Sequence, residues 1–136
     1  MKKKIAFINI FKNSVGGGEV YLKRLINNLS LDISHESVLL TPNAPALYDV
    51  RCKIINIPGL EINRKYPSFY EIFKTIKYIR KNLQLINPDL VIINGDRAII
   101  LSPLFLRKNK AIGIKHMLIN SKFKSILNKY AFNEVV

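Results

Sequence analysis

Residues 4–29 read KIAFINIFKNSVGGGEVYLKRLINNL. The apolar run at 5–10 (IAFINI) is bounded by lysines and a glycine-rich turn, which is the pattern of a buried strand. Beyond the turn, residues 19–30 set Leu22, Leu25, Ile26 and Leu29 on one helical face and turn Lys23, Asn27 and Ser30 away from it. A strand that passes through glycines into an amphipathic helix is the opening of a strand–helix–strand unit, and the rest of the chain continues the alternation.

Residues 37–41 (SVLLT) read as a second strand stopped by Pro42, and 54–57 (IINI) as a third stopped by Pro58-Gly59. The clearest helix spans 67–86, where Phe69, Ile72, Phe73, Ile76, Ile79, Leu83 and Ile86 recur at helical spacing as a core stripe. Lys74, Lys77, Arg80 and Lys81 occupy its other faces, the pattern of an ordinary solvated side, and Asn87-Pro88-Asp89 ends it. A fourth strand follows at 90–94 (LVIIN). Residues 97–106 read as a largely buried helix that Pro103 kinks or restarts. A fifth strand is expected at 111–117, a helix at 119–132, and Glu134-Val135-Val136 looks like the beginning of another strand. Continuous apolar strands separated by helices predict an α/β fold: a doubly wound, mainly parallel, Rossmann-like sheet with helices on both faces. Residues 1–136 then form one such domain, and the unfinished last strand suggests part of a longer parent. Ligands of such sheets bind outside the carboxyl ends of the strands. The positions to watch are therefore 13–19, 41–43, 94–97 and His116 onward.

The composition narrows the class. In 136 residues, 49% are hydrophobic and 23% charged, the balance of a folded globular chain. Lys and Arg number 22 against 9 Asp and Glu, a net charge of +13 that favours polyanionic partners. Most of that field lies late: residues 64–129 carry 14 basic and 3 acidic side chains, interleaved with Tyr66, Phe69, Tyr70, Phe73 and Tyr78. Basic residues with aromatics suit an anionic membrane surface. No helix-turn-helix or RNA-binding aromatic signature is present, so no nucleic acid is expected. The longest uncharged runs are too short to span a bilayer. The basic start and IAFINIF imitate a signal peptide, but Asn9 interrupts it, Lys12-Asn13 ends it and no cleavage site follows. The single Cys52 has no internal partner, and two histidines with one cysteine disfavour structural zinc, so no metal and no cofactor are expected. The expected location is cytoplasmic.

Three places carry candidate chemistry. Gly16-Gly17-Gly18-Glu19 opens the first helix, where unpaired N–H groups suit phosphate or sugar oxygens; the same glycines also serve a plain tight turn. It is no P-loop, since no Gly-Lys-Ser/Thr follows. It is a poor dinucleotide fingerprint too, since Tyr21 stands where the third glycine belongs. Glu19 would oppose a phosphate beside it, which favours a hydroxyl-bearing ligand. His116, at the expected end of the fifth strand, is placed to act as acid or base or to bind a sugar hydroxyl, or else to rest half-buried on a backbone partner. Asn94-Gly95-Asp96-Arg97 follows the fourth strand; Asp96 suits a helix cap, and Asn94 can face the cleft. His35 and Asp89 fall at the other end of the sheet.

Taken in order, these pieces resemble the amino-terminal, acceptor-side domain of a glycosyltransferase of the two-domain GT-B fold, and within it the retaining enzymes of family four. Lys4-Ile5-Ala6-Phe7-Ile8 leading into Gly16-Gly17-Gly18-Glu19 is similar to that family's Gly-Gly-x-Glu opening, with Gly18 as the small residue. Asn87-Pro88-Asp89-Leu90-Val91-Ile92 is similar to its Pro-Asp-hydrophobic strand, and Ile114-Lys115-His116 to its strand ending in histidine. The resemblance covers nearly the whole chain. It implies that Gly17 and Gly18 line an interdomain cleft near a nucleotide-sugar donor's diphosphate or the acceptor, and that His116 lies near the transferred sugar. Glu19 and Asn94 are further substrate-binding candidates. It also implies a sugar or lipid-linked acceptor for polysaccharide or glycolipid synthesis, on the inner face of the plasma membrane. The family's second, nucleotide-sugar-binding domain has no counterpart here, so these residues alone should not transfer sugar. The competing reading is a non-enzymatic basic α/β module that binds an anionic membrane or a protein partner.

Overall fold

The computed structural model describes residues 2–13, 16–61, 67–115 and 134–135. Its main sheet has six strands: β1 (Lys3–Ile8), β3 (His35–Thr41), β4 (Lys53–Asn56), β6 (Leu90–Asn94), β7 (Ala111–Ile114) and β8 (Glu134–Val135). They lie in the order β4-β3-β1-β6-β7-β8, and every neighbouring pair is parallel. The chain steps outward from β1 through β3 to β4, crosses back, and steps outward on the other side through β6 and β7. The direction of winding reverses between β1 and β6, which is the topological switch point of a doubly wound sheet.

Side-chain alternation explains why both faces are covered. Ile5 and Phe7 of β1 join Leu39, Ile92, Leu22 and Ile26 in one core, under α1 (Gly17–Leu29). Ala6 and Ile8 join Val38, Leu40, Val91, Ile93, Ile79 and Leu83 in the other, under α2 (Phe69–Ile86). A central strand apolar at every position from Ile5 to Ile8 therefore supports helices on both sides. α2 starts on a serine cap: the Ser68 hydroxyl accepts from the Glu71 N–H at 3.2 Å. It stops at Asn87, whose φ of 47° is left-handed and whose N–H donates to the Leu83 carbonyl, with Pro88 next.

The expected stripe of α2 needs correcting. Ile72, Ile76, Ile79, Leu83 and Ile86 face the core, but Phe69 and Phe73 are 92% and 67% exposed. At 100° per residue these two fall beyond the shoulder of the buried arc, and Thr75 takes the inward place. Thr75 is buried with no hydrogen-bond partner for its hydroxyl.

Other boundaries move by small steps. β1 stops at Ile8, not Ile10, because the chain leaves for a second sheet of two residues per strand, β2 (Phe11–Lys12) beside β5 (Leu60–Glu61). Gly59 makes that sheet possible. Its φ is 74°, the Leu60 N–H donates to the Ile10 carbonyl at 2.7 Å, and a Cβ at Gly59 would stand 2.4 Å from the Pro42 ring. The stretch around Pro103 is a short α3 (Asp96–Leu101) continued by a 3-10 turn (Ser102–Leu104), so the proline starts the second half. β8 begins at Glu134, as its sequence suggests. The helix expected at 119–132 lies outside the described residues.

Candidate functional site

The carboxyl ends of β3, β1 and β6 carry three adjacent buried polar side chains. Asn9 follows β1 and is 1% exposed; Thr41 and Asn94 close β3 and β6 at 4% and 3%. The register that pairs Ile8 with Leu40 and Ile93 sets them side by side. The Asn9 amide donates to Thr41 Oγ1 at 3.1 Å, and the Asn94 amide reaches Asn9 Oδ1 at 3.4 Å. Thr41 Oγ1 in turn donates to the Pro42 carbonyl. Buried amides keep their place only when paired, so the row orders the rim exactly where the winding reverses.

Asn94 is thus a member of this row. Sequence reasoning missed Asn9, reading it only as a break in an apolar run. The available signal was a lone amide at the end of a central strand, beside polar strand ends on both neighbours.

The glycine bend opens α1 on the same side of the fold, because the chain reaches it from the carboxyl end of β1. Gly16 is the N-cap with extended backbone, and Gly17, Gly18 and Glu19 form the first turn. A Cβ at Gly17 would meet nothing within 4 Å, so packing does not demand glycine there. Glu19 is 8% exposed, and its Oε2 would stand 3.3 Å from a Cβ on Gly16. It therefore turns back to the start of its own helix, the place of the acidic residue of a capping box.

After β6 the cap is Gly95, at φ 94°, not Asp96 as its residue type suggests. Asp96 stands in the first turn of α3 with both carboxylate oxygens buried and without a hydrogen-bond partner. The Gly95 N–H donates to the Ile114 carbonyl at 3.0 Å, which brings the end of β7 beside this turn. His116, two residues further, lies outside the described residues. Arg97 stacks over the Phe11 ring at 5.6 Å, at the mouth of a 230 Å³ pocket that Leu60, Ile72 and Leu101 also line. A larger hollow of 880 Å³ opens at the amino ends of the strands, between Lys3, Asp89, Arg107 and Lys110. That is the wrong end of the sheet for a switch-point ligand. Asp89 there accepts from the Lys4 N–H at 2.8 Å, and His35 Nδ1 lies 3.0 Å from Asp32. Both are tethers at the amino rim.

The rim therefore carries fixed buried amides, a buried unpaired carboxylate and a glycine turn. No protein-family model and no curated protein matches the sequence. Solved structures do. A protein assigned as a UDP-N-acetylglucosamine 2-epimerase from Listeria monocytogenes superposes with a TM-score of 0.70 at 15% identity, over 99% of this chain and 39% of its own. The lipopolysaccharide outer core galactosyltransferase WaaB, in its apo form, gives 0.64 at 21% identity, over 96% of this chain and 38% of its own. MurG from Acinetobacter baumannii gives 0.63 at 13%, over 98% and 40%. This chain spans about two fifths of the length of each. The likeness is one of fold: the chain has the Rossmann-like α/β fold of one portion of each of these proteins.

Proposed function

We propose that this chain is the amino-terminal, acceptor-side domain of a nucleotide-sugar-dependent glycosyltransferase. The observation that carries the reading is the polar row Thr41–Asn9–Asn94 at the switch point, on the rim that the glycine bend also faces. A second lobe, supplied by a longer polypeptide, closes over this rim and brings most of the contacts to the nucleotide sugar. Gly17 and Gly18 let donor phosphate or acceptor approach the first turn of α1, whose N–H end suits oxygen ligands. Asn94 and Asp96 hold acceptor hydroxyls, and Glu19 keeps the turn in shape from beneath. His116 lies near the transferred sugar. Positive charge developing at the anomeric carbon is stabilised by the donor phosphates and by these fixed polar groups. The acceptor is a lipid-linked or cell-surface saccharide met at the inner face of the plasma membrane. Among the described residues no helix is long and apolar enough to cross a membrane.

The test is sugar transfer from a panel of nucleotide sugars to membrane acceptors by a polypeptide that contains this domain and its second lobe. Gly18→Val and His116→Ala each lower kcat/KM by about a hundredfold, the scale of a misplaced reacting group. Turnover unchanged in both variants overturns the site, and a parent that transfers no sugar overturns the function.

A further inference from the structure

Of the eleven large apolar side chains exposed among the described residues, five stand on α2: Phe69, Tyr70, Phe73, Tyr78 and Leu85. The first three form a cluster that departs from an ordinary solvated helix. Phe69 is 92% exposed, Tyr70 72% and Phe73 67%, all within the first five residues of the helix. Phe69 and Phe73 are one turn apart and stack along one line. Lys77 and Arg80 extend that line, with Lys74 and Lys81 beside it, and all four are exposed. The only acidic residue in α2 is Glu71. The helix thus presents an outward face with aromatics in its first turns and cations along the rest.

We propose that this face docks α2 lengthwise on an anionic lipid bilayer. Phe69 and Phe73 enter the headgroup–acyl boundary, Tyr70 lies at headgroup level, and Lys74, Lys77, Arg80 and Lys81 meet lipid phosphates. Charge complementarity picks the occupant: the chain carries +13, and anionic lipid attracts each cation near its surface. The phenylalanines decide between lipid and a soluble polyanion. A phosphate chain leaves two largely exposed phenyl rings in water, whereas an interface removes them from it. This deepens the membrane part of the proposed function and does not depend on sugar chemistry. Loss of vesicle binding leaves a transfer assay on soluble acceptors untouched, and loss of transfer leaves vesicle binding untouched.

The chain has no tryptophan, so Phe69→Trp supplies a single reporter at the amino end of the face. With phosphatidylcholine vesicles containing phosphatidylglycerol, its emission shifts to the blue and the chain co-sediments; with phosphatidylcholine alone neither occurs. Phe69→Ser with Phe73→Ser abolishes the co-sedimentation, and Lys74→Gln with Lys77→Gln weakens it on the order of thirtyfold. All four side chains are exposed, and circular dichroism confirms that the variants keep the parent fold. Four results overturn the proposal: no binding to either vesicle, equal binding to both, serine variants that bind like the parent, or a blue shift produced equally by a protein partner in the absence of lipid.

Discussion

Gly59 is constrained both by its backbone conformation and by the Pro42 ring. Its left-handed backbone turns the chain out of β4's exit and into β5, and the Pro42 ring fills the space where a side chain would begin. Gly59→Ala meets both the cost of positive φ and a contact with a ring that cannot rotate away, so it destabilises the fold by about 3 kcal/mol or more. A urea midpoint that falls at unchanged slope checks this. Cys52 is a second case in which surroundings set behaviour. Burial pushes its thiol up to about 11, partly offset by a backbone hydrogen bond from the Leu39 peptide. The thiol therefore stays protonated through neutral and mildly alkaline pH. Alkylation of the folded chain should stay slow at pH 8.5 and rise towards pH 11, whereas the denatured chain reacts readily near the ordinary cysteine value of about 8.5.

At the scale of elements, α2 is held by its ends and by one inward line of isoleucines and leucine. The Ser68 cap satisfies a first-turn N–H that otherwise has no intrahelical partner. Ser68→Ala costs about 1 kcal/mol, read as a lower melting temperature, and the outward face is unchanged by it. The elements also show where periodicity is a sufficient guide and where it fails. Leu90–Asn94 is a strand at the expected residues, because four aliphatic residues and an asparagine between a proline turn and a glycine have few alternatives. β2 and β5 were not legible: two residues carry no period, and their pairing depends on Gly59 and Pro42, which meet only in three dimensions. The outward Phe69 and Phe73 were hidden for the opposite reason. Their spacing matches a core stripe, and only the width of sheet available to the helix decides which part of a wide stripe is buried.

For the whole molecule, the reversal of winding at β1 is the fact from which the rest follows, and it was legible from the order of strands and helices. The rim was legible in part. Asn94 and the glycine bend stand at strand exits, which pattern alone reveals, whereas the pairing of Asn9 with both neighbours requires knowing which strands touch. β1 is also the mechanical centre, since its successive side chains feed two separate cores. Phe7 is fully buried under α1, so Phe7→Ala should cost about 3–5 kcal/mol, measured by chemical denaturation. Because β1 is shared by both faces, the loss should appear in one cooperative transition, not as the release of a single layer.

The amide row across β3, β1 and β6 has a consequence for how the chain finds its fold. Parallel strands this apolar have little to tell one alignment from the next, since a shift by two positions again sets aliphatic against aliphatic. Asn9, Thr41 and Asn94 break that degeneracy. Any misalignment parts the three and strands at least one amide in hydrocarbon, a penalty of about 1–3 kcal/mol for each orphaned group. The same side chains that order the carboxyl-end rim therefore act during folding as a gauge of correct alignment.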